Sequence, residues 1–349
     1  MKNALDHKCP NCYAVLKFNP HGNNWKCEYC RGEFNLEDLK ENTKKQEEKI
    51  VKHDTNEEGM DVYTCNNCGA SIVVDPNVSA TSCVYCKNTT ILKDKLHGEF
   101  NPDYVIPFKY TKADALNAFK KLGKGKLFMP KQFNIKKNIN EIYGIYIPFW
   151  LFDFSLDGQM SADCKRITSW RSGDYRYTKT DTYRATRGGN MSFSNIPVDG
   201  SKRFPNDIMN SIEPFDFNNL KEFNMSYLSG FLAEKYDLTG EEVINEASNR
   251  AKNSFVEEMK KDIRGYNIVI PTTNNINIDN NKKQYVLLPV WMINVKYKNK
   301  IHTLAMNGQT GKIVGNIPID VSKVILTWIL IFIISFIVLL TINYVGVIL

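Results

Sequence analysis

The sequence predicts an α+β protein with two small cysteine-nucleated modules at the front and one transmembrane helix at the end. Two sets of four cysteines, identical in spacing and 56 positions apart, predict the modules. Alternating apolar segments interleaved with segments of helical period over residues 100–320 predict a mixed α/antiparallel-β domain between them and the tail. Nineteen residues without a charge, Val324–Ile342, predict the helix. The parts fall at residues 1–35 and 60–99 for the modules, 36–59 for a charged linker, 100–320 for the middle domain and 323–346 for the helix.

In the first module Cys9 and Cys12 are followed, after fourteen residues, by Cys27 and Cys30; in the second, Cys65 and Cys68 are followed at the same interval by Cys83 and Cys86. A C-x2-C turn points two thiolates at one ion, and two such turns complete a tetrahedron. Short alternating segments, Tyr13–Phe18 and Gly22–Lys26, then Ala70–Asp75 and Ala80–Ser82, suit the small antiparallel strands of a zinc ribbon. Four thiolates leave no position for water or substrate, so the expected cofactor is two structural Zn2+ ions, and these supply most of the folding free energy of so small a module. His7 and His21 lie near the first set but are not needed as ligands. The linker Leu36–Gly59 is charged and poor in apolar residues, which predicts modules that move independently.

CPNC…CEYC and CNNC…CVYC, set ahead of a long middle region and a C-terminal span, resemble the bacterial membrane proteins described as carrying tandem transcription-factor-IIB-type zinc ribbons, with envelope-stress-associated relatives in Gram-positive bacteria. The resemblance implies protein partners of the flotillin-like or phage-shock-protein-A-like kind. Namesake transcription factors continue into helical cyclin-like repeats, a pattern that residues 100–320 lack.

The middle domain opens with a short strand in Asn101–Phe108 and a helix capped by Thr111 and Asp114. Gly144–Phe154 and Tyr285–Val295 echo one another at an offset of 141, matching Pro148 with Pro289 and Trp150 with Trp291, and suggest two related half-domains. Proline cannot donate to a ladder, so both prolines are expected at edges or bulges. Asp157-Gly158 is a turn signal leading into Gln159–Ile167; the second segment turns at Tyr297–Lys300 and again at Asn307-Gly308. Thr239-Gly-Glu-Glu242 fits a capping box, and Val243, Ala247, Ala251, Phe255, Met259 and Ile263 recur on one helical face behind it.

At helical rise Val324–Ile342 spans about 28 Å, the thickness of a bilayer core. Trp328 and Tyr344 sit where amphipathic rings favour headgroups, and Lys323 marks the near side, which places the N-terminal bulk in the cytoplasm of a single-pass cell-membrane protein. The N-terminus lacks a signal-peptide stretch, so the nine cysteines are read in a reducing compartment, where metal binding prevails over disulfides. The net charge of +7 is concentrated in Lys120–Lys137 and Lys165–Arg187, which suit anionic lipid headgroups or, as an alternative, nucleic acid. No metalloprotease, hydrolase-elbow or complete phosphate-loop motif occurs, and Cys164 reads as an inert buried thiol. The expected function is non-enzymatic: a tail-anchored adaptor that recruits proteins to the inner leaflet.

Overall fold

The computed structural model describes residues 2–3, 7–39, 61–65, 68, 70–75, 77–83, 89–92, 96, 100–122, 126–130, 133, 142–298 and 300–348. Most of the linker, Cys86 and half of Lys120–Lys137 lie outside them.

Strand β1 (Lys2–Asn3) precedes the first module, an antiparallel ribbon of β2 (Leu16–Asn19), β3 (Asn24–Cys27) and β4 (Glu33–Phe34). The second module begins with the hairpin of β5 (Asp61–Thr64) and β6 (Ser71–Val74), against which β1 lies parallel, and continues into β7 (Val78–Ser82) and β8 (Thr89–Ile91).

The middle domain is built on two strands of thirty residues each, β10 (Tyr143–Ser172) and β14 (Ile268–Tyr297), antiparallel to one another. Around them, in chain order, stand β9 (Tyr104–Val105), helix α1 (Lys112–Leu122), β11 (Tyr175–Asp199), α2 (Asn206–Ser211), β12 (Lys221–Glu222), β13 (Leu232–Glu234), α3 (Gly240–Lys261), β15 (Lys300–Asn307) and β16 (Ile313–Gly315). The main sheet runs β12-β9-β14-β10-β13-β7-β8. Its last two strands belong to the second cysteine module.

Gly144–Phe152 is buried at every position because β10 is covered on both faces there. Tyr146, Trp150 and Phe152 enter one core and Ile145, Ile147, Phe149 and Leu151 another; Leu287, Trp291 and Ile293 of β14 alternate with Val286, Leu288, Val290 and Met292 in the same way. Two-sided burial explains the continuous apolar runs.

Pro148 and Pro289 stand inside the sheet and not at its edges. Each lies where its strand changes outer partner: β10 pairs with β13 up to Tyr146 and with β11 from Phe149, while β14 pairs with β9 up to Leu287 and with β15 from Val290. The carbonyls of Pro148 and Pro289 accept from Gly200 and Gly308 at 2.9 and 2.8 Å, so the missing N–H of each proline falls on the side where the ladder is interrupted anyway. The surroundings match further. Trp150 Nε1 donates to the carbonyl of Leu238, and Trp291 Nε1 to that of Tyr110, each the residue before a threonine N-cap. Thr111 caps with Asp114 as Thr239 does with Glu242. The parallel pairs Tyr104 with Val286 and Leu232 with Ile145 complete the correspondence.

Asp157-Gly158 is not a turn. β10 passes straight through it, and Gly158 serves close approach instead: a Cβ there would stand 2.5 Å from the carbonyl oxygen of Asn275. The chain reverses at Gly173, whose φ of +61° suits glycine. The result is a three-stranded arm of β11, β10 and β14 whose near face (Leu156, Met160, Ala162, Cys164) is buried beneath α3. That helix carries the expected capping box and presents Val243, Ala247, Ala251, Phe255 and Met259 to the arm. Turns at residue 298 and at residues 308–310 follow as expected.

The modules are not independent of the body. Trp25 and Phe18 of the first pack against Tyr227 and Phe231, with Trp25–Tyr227 ring centroids 5.3 Å apart and Phe18–Tyr227 5.6 Å. Trp25 Nε1 donates to the Ser226 carbonyl at 2.7 Å, and the Phe18 N–H to that of Ser229 at 3.0 Å. The second module joins through its backbone, Ala80 beside Ala233 and Val78 beside Glu234.

Helix α4 (Val321–Ile348) holds the apolar span Val321–Ile342, none of which is buried against the body. It is long and apolar enough to cross a membrane. Its start is fixed by the Asp320 N–H on the Phe128 carbonyl (2.8 Å) and Lys323 Nζ on the Met129 carbonyl (2.6 Å).

Candidate metal centres

Two similar turns build the first centre. The Cys9 N–H donates to Ala14 and that of Tyr13 returns to the Cys9 carbonyl; the Cys27 N–H donates to Gly32 and that of Arg31 returns to Cys27. Tyr13 and Arg31, each four residues after the first cysteine of its pair, take left-handed φ values of 60° and 61°. These tight returns leave the sulfurs of Cys9, Cys12, Cys27 and Cys30 all within 4.8 Å of one another, with Cys9–Cys30 at 3.6 Å and Cys12–Cys27 at 3.5 Å. A tetrahedron with bonds of about 2.3 Å has edges of about 3.8 Å, whereas a disulfide requires about 2 Å, so the four thiols are spaced for an ion. Burial opposes ionisation of Cys27, but the N–H groups of Cys30 and Tyr29 and the neighbouring thiols outweigh it and bring its pKa down to about 7. At Cys30 the Gly32 N–H favours the thiolate, yet desolvation and hydrogen bonds to the other sulfurs prevail and push it up to about 12.

In the second centre Cys65, Cys68 and Cys83 come together under the same 4.8 Å limit, with the Cys68 and Cys83 sulfurs 3.7 Å apart. The Cys65 N–H donates to Ala70 as Cys9 does to Ala14. Cys86, the expected fourth ligand, lies outside the described residues. Seven of the eight cysteines assigned from sequence thus converge on two clusters that can hold metal ions.

His21 is not drawn into a centre; its Nε2 meets Asp114 Oδ2 at 3.0 Å, linking the first module to the start of α1. His7 is half-buried in the seam between the modules and the segment at Ser229, where desolvation lowers its pKa to about 4. Cys164 is buried in the arm beneath α3, its thiol directed at the Ala162 carbonyl at 3.7 Å. Sequence reasoning missed a buried acidic group beside the second module. Glu234 of β13 is pushed up to about 7 by burial, which outweighs Arg203 at 2.8 Å because over half of the arginine side chain is exposed. Asp199 rises to about 7 as well, through burial first and then the charges of Asp237, Glu246 and Glu234, against the N–H of Ser201. Nothing local marks either residue; both sit at strand ends brought together by the fold.

These features define a protein with two cysteine clusters seated on an α+β body and one C-terminal helix able to cross a membrane. No family model and no solved structure matches the chain. It is 36% identical over 320 residues to the uncharacterized protein YdjG of Bacillus subtilis (strain 168), an alignment covering 92% of each, and it belongs to the same family as that protein.

Proposed function

We propose that the chain is a membrane-held docking platform without catalysis of its own, whose two clusters each hold one structural Zn2+ in a zinc ribbon and whose bulk faces the cytoplasm. One observation carries this reading: both clusters and the apolar helix are tied to the same body, the first by Trp25 and Phe18, the second by β7 against β13, the helix by Asp320 and Lys323. A four-thiolate site is closed to substrate, so the ions order a surface and do not act on a ligand. That surface includes Tyr13 and Tyr29, which project from the first centre with 76% and 84% of their area exposed. The matched surroundings of Pro148 and Pro289 support reading the body as an internal repeat, which gives a docking protein two related halves. Partners of the flotillin-like or phage-shock-protein-A-like kind are those the family resemblance implies.

The test is recovery of the full-length protein from membranes, followed by mass spectrometry, beside two variants. One replaces the four cysteines of the first centre with serine. The other, Tyr13→Asn with Tyr29→Ala, keeps the metal and changes only the exposed surface. Loss of the same partners from both supports the platform. An unchanged partner set in both sinks the role given to the clusters.

A further inference from the structure

The free end of the arm carries side chains that the fold does not use. Past Lys165, where β14 begins its pairing, β10 and β11 continue alone as a two-stranded finger around the turn at residues 173–174. The covered face ends where Arg166 sits over the rings of Tyr183 and Tyr266, at 5.6 and 5.5 Å. Beyond it the same face presents Trp170 and Tyr177, stacked at 5.7 Å and about half exposed, followed by Tyr175 at 72% exposure. On the opposite face Arg171 and Arg176 are direct cross-strand neighbours. Like charges so placed repel one another. Three other basic residues of the arm have acids, Lys179 with Asp181, Arg184 with Asp163 and Arg187 with Asp262; among the described residues Arg171 and Arg176 have no acidic partner, and Arg171 Nε donates only to the Gly173 carbonyl at 3.3 Å.

Five of the eight residues Trp170–Tyr177 are Trp, Tyr or Arg, the types that dominate binding hot spots. A narrow finger with an aromatic face and an unpaired guanidinium pair on the other is shaped to enter a cleft. We infer that the finger is inserted into an acidic, partly apolar cleft of a partner protein, whose carboxylates meet Arg171 and Arg176 and whose apolar wall covers Trp170, Tyr175 and Tyr177. The inference rests on the platform reading and names the chemistry of one partner. A lipid surface fits less well. Asn316, just ahead of α4, lies beside His302, which faces the opposite end of β14 from the finger, so the membrane helix and the finger stand at the two ends of one strand. A nucleic-acid strand needs a row of free cations along its backbone, and the tip from Trp170 to Tyr177 offers one cross-strand pair.

The full-length protein with a photo-crosslinking amino acid in place of Tyr175 tests this in intact cells. The expected product is a cross-link to one protein, mapped to a segment rich in Asp and Glu. Capture falls at least tenfold with Arg171→Glu and Arg176→Glu together, persists with Arg171→Lys and Arg176→Lys, and returns when the mapped acids are changed to lysine against the glutamate pair. Cross-links to lipid or nucleic acid, no discrete product, capture indifferent to charge reversal, or a failed charge swap each overturn it. If the finger captures its partner while the membrane-recovered set ignores Tyr13 and Tyr29, the role of the clusters fails and the finger stands. The converse result removes the finger alone.

Discussion

The two cysteine modules share one spacing but are held to the body by different forces. The first is attached mainly by side chains: Trp25 and Phe18 are sunk among Tyr227 and Phe231, so its attachment is mostly apolar burial, with one hydrogen bond from the Trp25 indole and one from the Phe18 N–H. The second is attached by backbone: β7 and β8 are the end strands of the main sheet. Two modules alike in cysteine spacing therefore differ in what their loss does. Detaching the first uncovers a patch, and opening the second exposes the edge of β13.

Ligand removal gives the largest separation. Structural zinc contributes about 10–16 kcal/mol in isolated finger peptides, enough to unfold either module when a ligand is lost. Cys27→Ser is expected to remove one metal equivalent and deprotect residues 225–231 in hydrogen exchange while Leu232–Glu234 stays protected. Cys83→Ser is expected to remove the other and deprotect Leu232–Glu234. Identical exchange maps for the two variants erase the distinction. Next comes Trp25→Ala, expected to destabilise by about 3–5 kcal/mol in denaturant unfolding because the ring is fully buried and its loss strands the Ser226 carbonyl. Ala80→Pro attacks the other seam. Ala80 stands between Ala233 and Ile91, so proline there is expected to cost about 3 kcal/mol and to loosen the second module with no change at the first.

The smallest effect is a pH dependence confined to the second seam. Glu234 and Asp199, both raised to about 7, favour their protonated forms in the folded chain. Their contribution is fully present below the unfolded carboxylate values and is lost as pH rises through 7, with a slope of at most about 1.4 kcal/mol per pH unit for each group. Glu234→Gln is expected to flatten the unfolding profile between pH 5 and 7.5. A profile as steep as that of the parent chain contradicts the assignment.

The features legible in the sequence are those decided locally. Cysteine spacing sets the clusters, the Thr239–Glu242 box starts α3 where expected, and the uncharged run marks α4. The arm was hidden because beyond Ile167 both faces of its strands meet water, so apolar alternation lapses, and because Gly158 imitates a turn residue while serving cross-strand contact. The seating of the modules was hidden for another reason. Trp25 and Ser226 are 201 positions apart, and no periodicity around Trp25 tells a module core from an interface.

One strand carries more than pairing. β14 begins beside the finger and ends beside the segment leading to the apolar helix, and its thirty residues measure about 100 Å of extended chain. Paired with β10 from Ile268 to Met292 and covered by α3 over part of its length, it has the geometry of a lever arm: a tilt of about 5° at the base would displace a tip about 100 Å away by about 9 Å. A small change of angle at the α4 end of the strand is thereby magnified into a movement as wide as a helix at the finger.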